Sequence, residues 1–279
     1  MPIPSGAGAS QGYFARLSIV ARMAVTELVR RPSQEQRAEA ARRLLRHGIL
    51  TVVLSGLLIA SLMVWFDAWE IALMPPRGTA GLWPFRVLTD FGKDAYILSL
   101  TAVLLLGIML AAPAMRDPAR RRLLLGIGLR LQFVLLAVSL PIAIGELLKW
   151  IIGRGRPFVG GGANAFNFAH FAGTEAYSSL PSGHAITAFA LAFAVAAIWP
   201  RMRGVMIAYA LAIALTRLVL LAHHPSDVVA GAAIGIVGAM CVRYWFAVRG
   251  LGFAVAPDGV ISPLAPGRLK GVAEEAPAP

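Results

Sequence analysis

The chain has 279 residues, of which 58% are hydrophobic and 14% are charged, whereas a soluble domain carries about 25% charged residues. This apolar excess predicts a membrane protein. The formal net charge of +12 alone would suggest a nucleic-acid partner, but the basic residues lie between long apolar runs, as loop charges beside membrane spans do, so no nucleic-acid partner is predicted.

The N-terminal segment, residues 1–47, is basic, and Tyr13–Arg31 within it has the spacing of an amphipathic helix, either on the inner leaflet or in solution. A membrane helix needs about 20 mostly apolar residues. Six stretches meet or approach that length, and the fourth is short: Gly48–Phe66, Tyr96–Pro113, Leu123–Leu148, His184–Trp199, Gly204–Leu221 and Val228–Phe246. The expected fold is all-α, a six-span transmembrane bundle over residues 48–246.

The tail, residues 247–279, is rich in Pro, Gly and Ala and is expected to be disordered. Eight arginines precede the first predicted span. The positive-inside rule therefore places both termini in the cytoplasm. The expected location is a bacterial inner membrane, crossed several times, with Asp67–Ala95, Trp150–Gly183 and Ala222–Asp227 facing the periplasm or exterior.

Three polar clusters lie at the outward ends of spans three to six, where one pocket could collect them. The first runs from Lys149 to Pro157, the second is Pro181–His184, and the third runs from Arg217 to Asp227. Their three cations, Lys149, Arg156 and Arg217, suit phosphate oxygens. Ser182 and Gly183 precede an apolar helix, whose N-terminus attracts anions.

The histidines of the second and third clusters suggest covalent catalysis. His223 and Asp227 are four residues apart, so one helical turn would bring them together. The carboxylate would then hold one imidazole nitrogen and make the other a better nucleophile. His184 remains as a general acid for the leaving oxygen.

The three clusters read K-x(6)-R-P, PSGH and R-x(5)-H-x(3)-D, and this pattern resembles the type-2 phosphatidic acid phosphatases. That family shares a superfamily with bacterial acid phosphatases and vanadium haloperoxidases. Thr216 stands where the family usually has serine, and it keeps the hydroxyl. The resemblance implies that His184 protonates the leaving group, His223 attacks phosphorus and Asp227 orients His223. It also implies a phosphate site, formed by Lys149, Arg156, Ser182, Gly183 and Arg217.

The function expected from these residues is a metal-independent membrane phosphatase that acts on a lipid phosphate through a phosphohistidine. No metal and no cofactor are predicted, because the outward side lacks a paired-carboxylate cluster or His/Cys ligand spacing. Undecaprenyl diphosphate and phosphatidylglycerol phosphate are the favoured substrates, ahead of phosphatidic acid and lipid A phosphate. Partners are this lipid and the bilayer, and the sequence indicates no oligomeric state.

Two alternatives stay open. A phosphotransferase would use the same intermediate but pass phosphate to an alcohol or sugar. A membrane transporter belongs to a different class and would distribute polar residues through the bilayer depth. A vanadate-dependent haloperoxidase is disfavoured, because its site would gain nothing from six spans.

Overall fold

The computed structural model describes residues 12–31 and 37–265, and helices dominate this part of the chain. The α-helices are α1 Tyr13–Val29, α2 Arg37–Trp65, α3 Asp67–Leu73, α4 Trp83–Asp90, α5 Asp94–Ala111, α6 Pro118–Ile152, α7 Gly183–Ile198, α8 Arg203–Val219 and α9 Pro225–Ala247. Two short strands follow, β1 Phe253–Val255 and β2 Ile261–Pro263.

Five helical stretches in the described residues are long and apolar enough to cross a membrane: Arg37–Trp65, Ala80–Ala114, Pro118–Ile152, Pro200–Val219 and Pro225–Ala247. Helix α7 is apolar but has only 16 residues. At about 1.5 Å per residue it is shorter than a hydrocarbon core of about 30 Å. The predicted all-α membrane fold is confirmed, whereas six spans and an outward-facing site stay predictions.

Several helices extend beyond the apolar stretches that predicted them. Helix α2 begins at Arg37, so the domain boundary predicted at residue 47 lies inside a helix. Its first residues are mainly Ala, Arg and Leu, which favour helix wherever the chain runs. Hydropathy therefore locates the apolar part of such a helix but not its ends.

The chain divides into two compact units. The first comprises Met1–Arg43, Thr101–Phe133 and Arg243–Pro279, and the second comprises Leu44–Leu100 and Val134–Val242. In the first unit, three hydrogen bonds anchor α1. Tyr13 donates to the carbonyl of Leu110 at 2.9 Å, while Gln132 and Trp245 donate to carbonyls of α1 at 3.3 and 3.0 Å. The predicted amphipathic segment is thus a helix with defined contacts.

The structure corrects the expectation of a disordered tail at residues 253–263. Strands β1 and β2 pair antiparallel, and Phe253 is buried, with its ring 4.9 Å from the ring of Phe133. A turn that ends at Gly259 joins the strands, and its φ of 80° suits glycine. Average composition hid this local apolar pattern. Residues 266–279 of the predicted tail lie outside the described residues.

In the second unit, α7 packs closely against α8 and α9. Alanines form the contact with α8, where Ala188 and Ala192 meet Ala210 and Ile213. A Cβ atom on Gly235 of α9 would lie 2.5 Å from the carbonyl oxygen of Ile186. Small residues allow membrane helices to approach this closely. The start of α9 therefore lies directly against the start of α7.

Candidate active site

The structure brings residues from all three motifs around one pocket of about 250 Å³ in the second unit. Six of the eight predicted site residues line it: Lys149, Arg156, Gly183, His184, Arg217 and His223. The other lining residues are Asp94, Ile142, Glu146, Glu175 and Ile186. The remaining two, Ser182 and Asp227, are buried next to each other, and the Ser182 amide donates to the Asp227 carbonyl at 3.0 Å.

Each motif reaches the pocket from the end of a helix. Lys149 lies in the last turn of α6, and Gly183 and His184 begin α7. Arg217 lies in the last turn of α8, and the chain then turns so that His223 precedes α9. Gly153 ends α6 with a φ of 57°, and a side chain there would overlap the backbone of Ala169. This turn leads the chain from α6 towards Arg156.

The contacts of His223 define its tautomer. Its Nδ1 lies 2.8 Å from the carbonyl oxygen of Ser179. A carbonyl only accepts hydrogen bonds, so Nδ1 carries the proton and Nε2 keeps its lone pair. Burial lowers the pKa of His223 well below its ordinary value, and Arg217 and Arg156 lower it further, whereas Asp227 and the Ser179 carbonyl oppose the shift. His223 is therefore neutral at neutral pH.

The expected direct contact between Asp227 and His223 is not formed, because Nδ1 of His223 lies 3.9 Å from the carboxylate. The four-residue spacing predicts contact only within a helix, and α9 begins at Pro225, after His223. The carboxylate instead accepts from the Ser179 hydroxyl at 2.6 Å and from the His224 amide at 2.9 Å. Asp227 thus contacts His223 through Ser179, whose hydroxyl and carbonyl face the two residues.

A buried arginine, which the motif assignment did not include, holds Asp227 in place. Arg154 is fully buried and donates to Asp227 at 2.6 Å and to Asp67 at 2.8 Å. It also donates to Ser226 at 2.6 Å and to the carbonyl of Ala165. Buried charges persist when they are paired in this way. Arg154 lies two residues before Arg156 in the first motif, whereas no sequence signal marks Asp67.

The cations of the pocket have partners at its edge. Lys149 Nζ lies 2.5 Å from Glu146, and Arg156 Nη2 lies 3.5 Å from Glu175. Arg217 Nη1 donates to the hydroxyl of Thr89 at 2.7 Å. A Cβ on Gly183 would lie 3.0 Å from Lys149 Nζ, so glycine leaves this ammonium close to the backbone at the start of α7.

Four of the predicted site residues each have a buried polar atom without a hydrogen-bond partner among the described residues. These atoms are Nε of Arg156 and Arg217, Oγ of Ser182 and Nε2 of His184. Buried polar groups are normally satisfied, so this convergence fits a polar ligand that accepts hydrogen bonds from several sides. Within the described part of the chain, no group of three or more His, Cys, Asp or Glu residues is placed to hold a metal.

Comparison with known proteins identifies the family. The model of the PAP2 superfamily matches residues 130–251. A lipid A 1-phosphatase of Rhizobium johnstonii is 36% identical over 215 residues, which cover 75% of this chain and 84% of the relative. A lipid A 1-phosphatase of Rhizobium etli is 34% identical over 205 residues, which cover 72% and 86%. No solved structure matches the chain. The chain therefore belongs to the PAP2 superfamily and is a membrane phosphatase.

Proposed function

We propose that this protein removes the 1-phosphate of lipid A through a phosphohistidine at His223, on the periplasmic side of a bacterial inner membrane. The observation that carries the phosphate site is that three residues lining one cationic pocket, Arg156, His184 and Arg217, each have a buried polar atom without a partner among the described residues. Ser182, which directly precedes the lining residue Gly183, has a fourth such atom. Arginine N–H groups and the start of a helix are the donors that phosphate oxygens prefer.

The first step transfers the phosphoryl group to the enzyme. Nε2 of His223 attacks phosphorus, an N–P bond forms, and the bond from phosphorus to the lipid oxygen breaks. His184 gives its proton to that oxygen, and the lipid leaves as an alcohol. Lys149, Arg156 and Arg217 stabilise the charge on the transferring oxygens, as preorganised cations do in phosphoryl transfer.

The second step releases phosphate. His184, now neutral, accepts a proton from water, and the resulting oxygen attacks phosphorus. The N–P bond breaks, inorganic phosphate leaves, and its electron pair returns to Nε2 of His223. Throughout, the Ser179 carbonyl holds the Nδ1 proton of His223, which keeps Nε2 available for attack.

The choice of lipid A rests on the relatives. Both are lipid A 1-phosphatases, and the chain covers 84% and 86% of their lengths. Lipid A phosphate is therefore the favoured substrate, ahead of undecaprenyl diphosphate and phosphatidylglycerol phosphate, which the sequence alone favoured. The Rhizobium sources support a bacterial membrane, and the arginines before the first span support cytoplasmic termini and an outward-facing site.

The substrate is tested by assaying purified protein in detergent with lipid A, the two other lipids and p-nitrophenyl phosphate. We expect the highest kcat/KM for lipid A, because both relatives are lipid A 1-phosphatases, and the lowest for p-nitrophenyl phosphate, because it lacks the acyl chains that anchor a lipid in the bilayer. A higher kcat/KM for undecaprenyl diphosphate or phosphatidylglycerol phosphate would identify that lipid as the substrate in place of lipid A. Equal use of p-nitrophenyl phosphate would contradict the preference for lipids.

The nucleophile is tested with His223→Ala, which should abolish turnover and the acid-labile phosphoprotein trapped from radiolabelled substrate. His170→Ala is the control, since His170 is an exposed histidine outside the pocket, and it should behave as wild type. Labelling that survives in His223→Ala but disappears in His224→Ala would move the nucleophile to His224. Phosphate recovered on an added alcohol instead of in water would favour the phosphotransferase.

A further inference from the structure

The segment between α8 and His223 begins with an unusual helix C-terminus. Helix α8 ends at Val219, and two hydrogen bonds close the turn that follows. The amide of Ala222 donates to the carbonyl of Arg217 at 3.0 Å, and the amide of Leu221 donates to that of Leu218 at 2.8 Å. This pair of bonds defines a Schellman motif, with Leu221 at the left-handed position.

Leucine is unfavourable at that position. The φ of Leu221 is 48°, a conformation in which Schellman motifs usually carry glycine because a side chain crowds the backbone. Leu221 is also buried, with 1% of its surface exposed. Local preference therefore does not hold this turn, and contacts from elsewhere must do so.

Arg77 supplies such a contact. Its Nε donates to the carbonyl oxygen of Leu221 at 2.9 Å, and its Nη2 donates to the same oxygen. A turn over Pro76–Thr79 presents the side chain: the amide of Thr79 bonds to the carbonyl of Pro76, and Gly78 has a φ of 91°. Arg77 does not line the pocket, and both of these hydrogen bonds are made to the backbone of the turn.

We propose that Arg77 is a positioning residue for the nucleophile: its two N–H groups hold the left-handed turn at Leu221 and so fix His223 relative to Arg217. The turn lies between these two residues, and its closing bonds reach the backbone of Arg217. A change in the turn therefore alters the distance from the attacking nitrogen to the phosphate-binding guanidinium. The inference rests on the proposed function, because it assigns Arg77 a role in aligning the attack by His223.

The test compares Arg77→Ala and Arg77→Lys with wild type in detergent. A misplacement of about 1 Å can cost on the order of 100-fold in rate, so Arg77→Ala should lower kcat by about 10- to 100-fold. KM should stay within about 3-fold, because Lys149, Arg156 and Arg217 still bind phosphate. Arg77→Lys should recover only part of the loss, since lysine lacks the two fixed N–H donors of the guanidinium group. Arg86→Ala, an exposed arginine outside the pocket, should match wild type.

A second variant separates positioning from a general loss of structure. Leu221→Gly adopts the left-handed turn without strain but also removes a buried side chain, so Arg77→Ala is made both in wild type and in Leu221→Gly. Its loss of kcat should be at least about 3-fold smaller in the Leu221→Gly protein, where the turn no longer needs the guanidinium. Guanidinium ion should also partly restore Arg77→Ala, since it can occupy the vacated space. Should Arg77→Ala fail to fold, the same comparison is made with Arg77→Lys. An equal loss of kcat from the Arg77 substitution in wild type and in Leu221→Gly would overturn the proposal.

Phosphoenzyme formation separates this inference from the function on which it rests. Wild type that forms no phosphohistidine would refute the proposed mechanism whatever Arg77 does. Wild type that forms it, with Arg77→Ala forming it at the same rate, would refute the positioning role alone. The expected result is phosphohistidine in both proteins and slower formation in Arg77→Ala.

Discussion

At the scale of single residues, the pocket places a carboxylate beside Lys149, one of the proposed phosphate ligands. Glu146 lies 2.5 Å from Nζ of Lys149, and the Lys149 side chain is only 15% exposed. A phosphate that binds Lys149 must therefore compete with this carboxylate. We therefore expect Glu146 to weaken the binding of anions to Lys149.

Glu146→Gln should strengthen inhibition by vanadate, which mimics the phosphoryl transition state. We expect the inhibition constant to fall by about 3- to 5-fold, because a partly exposed ion pair is worth up to about 1 kcal/mol. Glu175→Gln is the matched control, because Glu175 is 86% exposed and lies 3.5 Å from Arg156. An unchanged constant in Glu146→Gln would show that Glu146 does not compete for the site.

The residue scale also shows where sequence reasoning succeeds and where it stops. Motif spacing anticipated that Lys149, His184 and Arg217 would come together, since each lies at a helix end on the same side of its predicted span. It misplaced the contact of Asp227, because a helical spacing was applied to His223, which precedes the helix. Pairing of Arg154 with Asp67 joins residues 87 positions apart, and no local pattern predicts such a contact.

At the scale of elements, close packing of α9 against α7 supports the site. A Cβ on Gly231 would lie 2.5 Å from the carbonyl of Ser182, and a Cβ on Gly235 would lie equally close to that of Ile186. These glycines let the backbones of α7 and α9 lie close together. At the same end of the two helices, the Ser182 amide donates to the Asp227 carbonyl. Glycines of α9 therefore bring the second and third motifs together.

Gly235→Ala should destabilise the protein, because the new methyl group meets backbone that cannot move aside. Overpacking costs about 1–3 kcal/mol, so we expect a lower Tm in detergent. Gly107→Ala is the control, since a Cβ there meets nothing within 4 Å and alanine favours helix. Equal Tm values for Gly235→Ala and wild type would contradict the packing argument.

The elements themselves were predictable to different degrees. Long apolar runs anticipated the cores of α2, α6 and α9, because burial in lipid requires a nearly continuous apolar stretch. The hairpin of β1 and β2 was missed, because each strand has only three residues and composition was averaged over the whole tail. Short elements that depend on contacts from distant residues, such as Phe253 with Phe133, leave little trace in composition.

At the scale of the whole molecule, the distribution of arginine predicts orientation. After Cys241 is replaced by serine, a cysteine at Gly162 should react with an impermeant thiol reagent in intact cells, whereas one at Arg120 should not. Gly162 has open space around it, and the Arg120 side chain is 80% exposed, so access within the protein limits neither site. Reversed labelling would place the active site in the cytoplasm and exclude the proposed periplasmic reaction.

The buried pair of Arg154 and Asp67 also has a consequence for the order of synthesis. Asp67 leaves the ribosome 87 residues before Arg154, which at about 5–20 residues per second is roughly 4–17 seconds. An unpaired carboxylate is costly to bury. Helix α3, which begins at Asp67, therefore cannot take its final buried position until α6 and the turn after it have been translated. Until then this acidic segment stays exposed, and the pocket forms later still, because Arg217 and His223 are translated after Arg154.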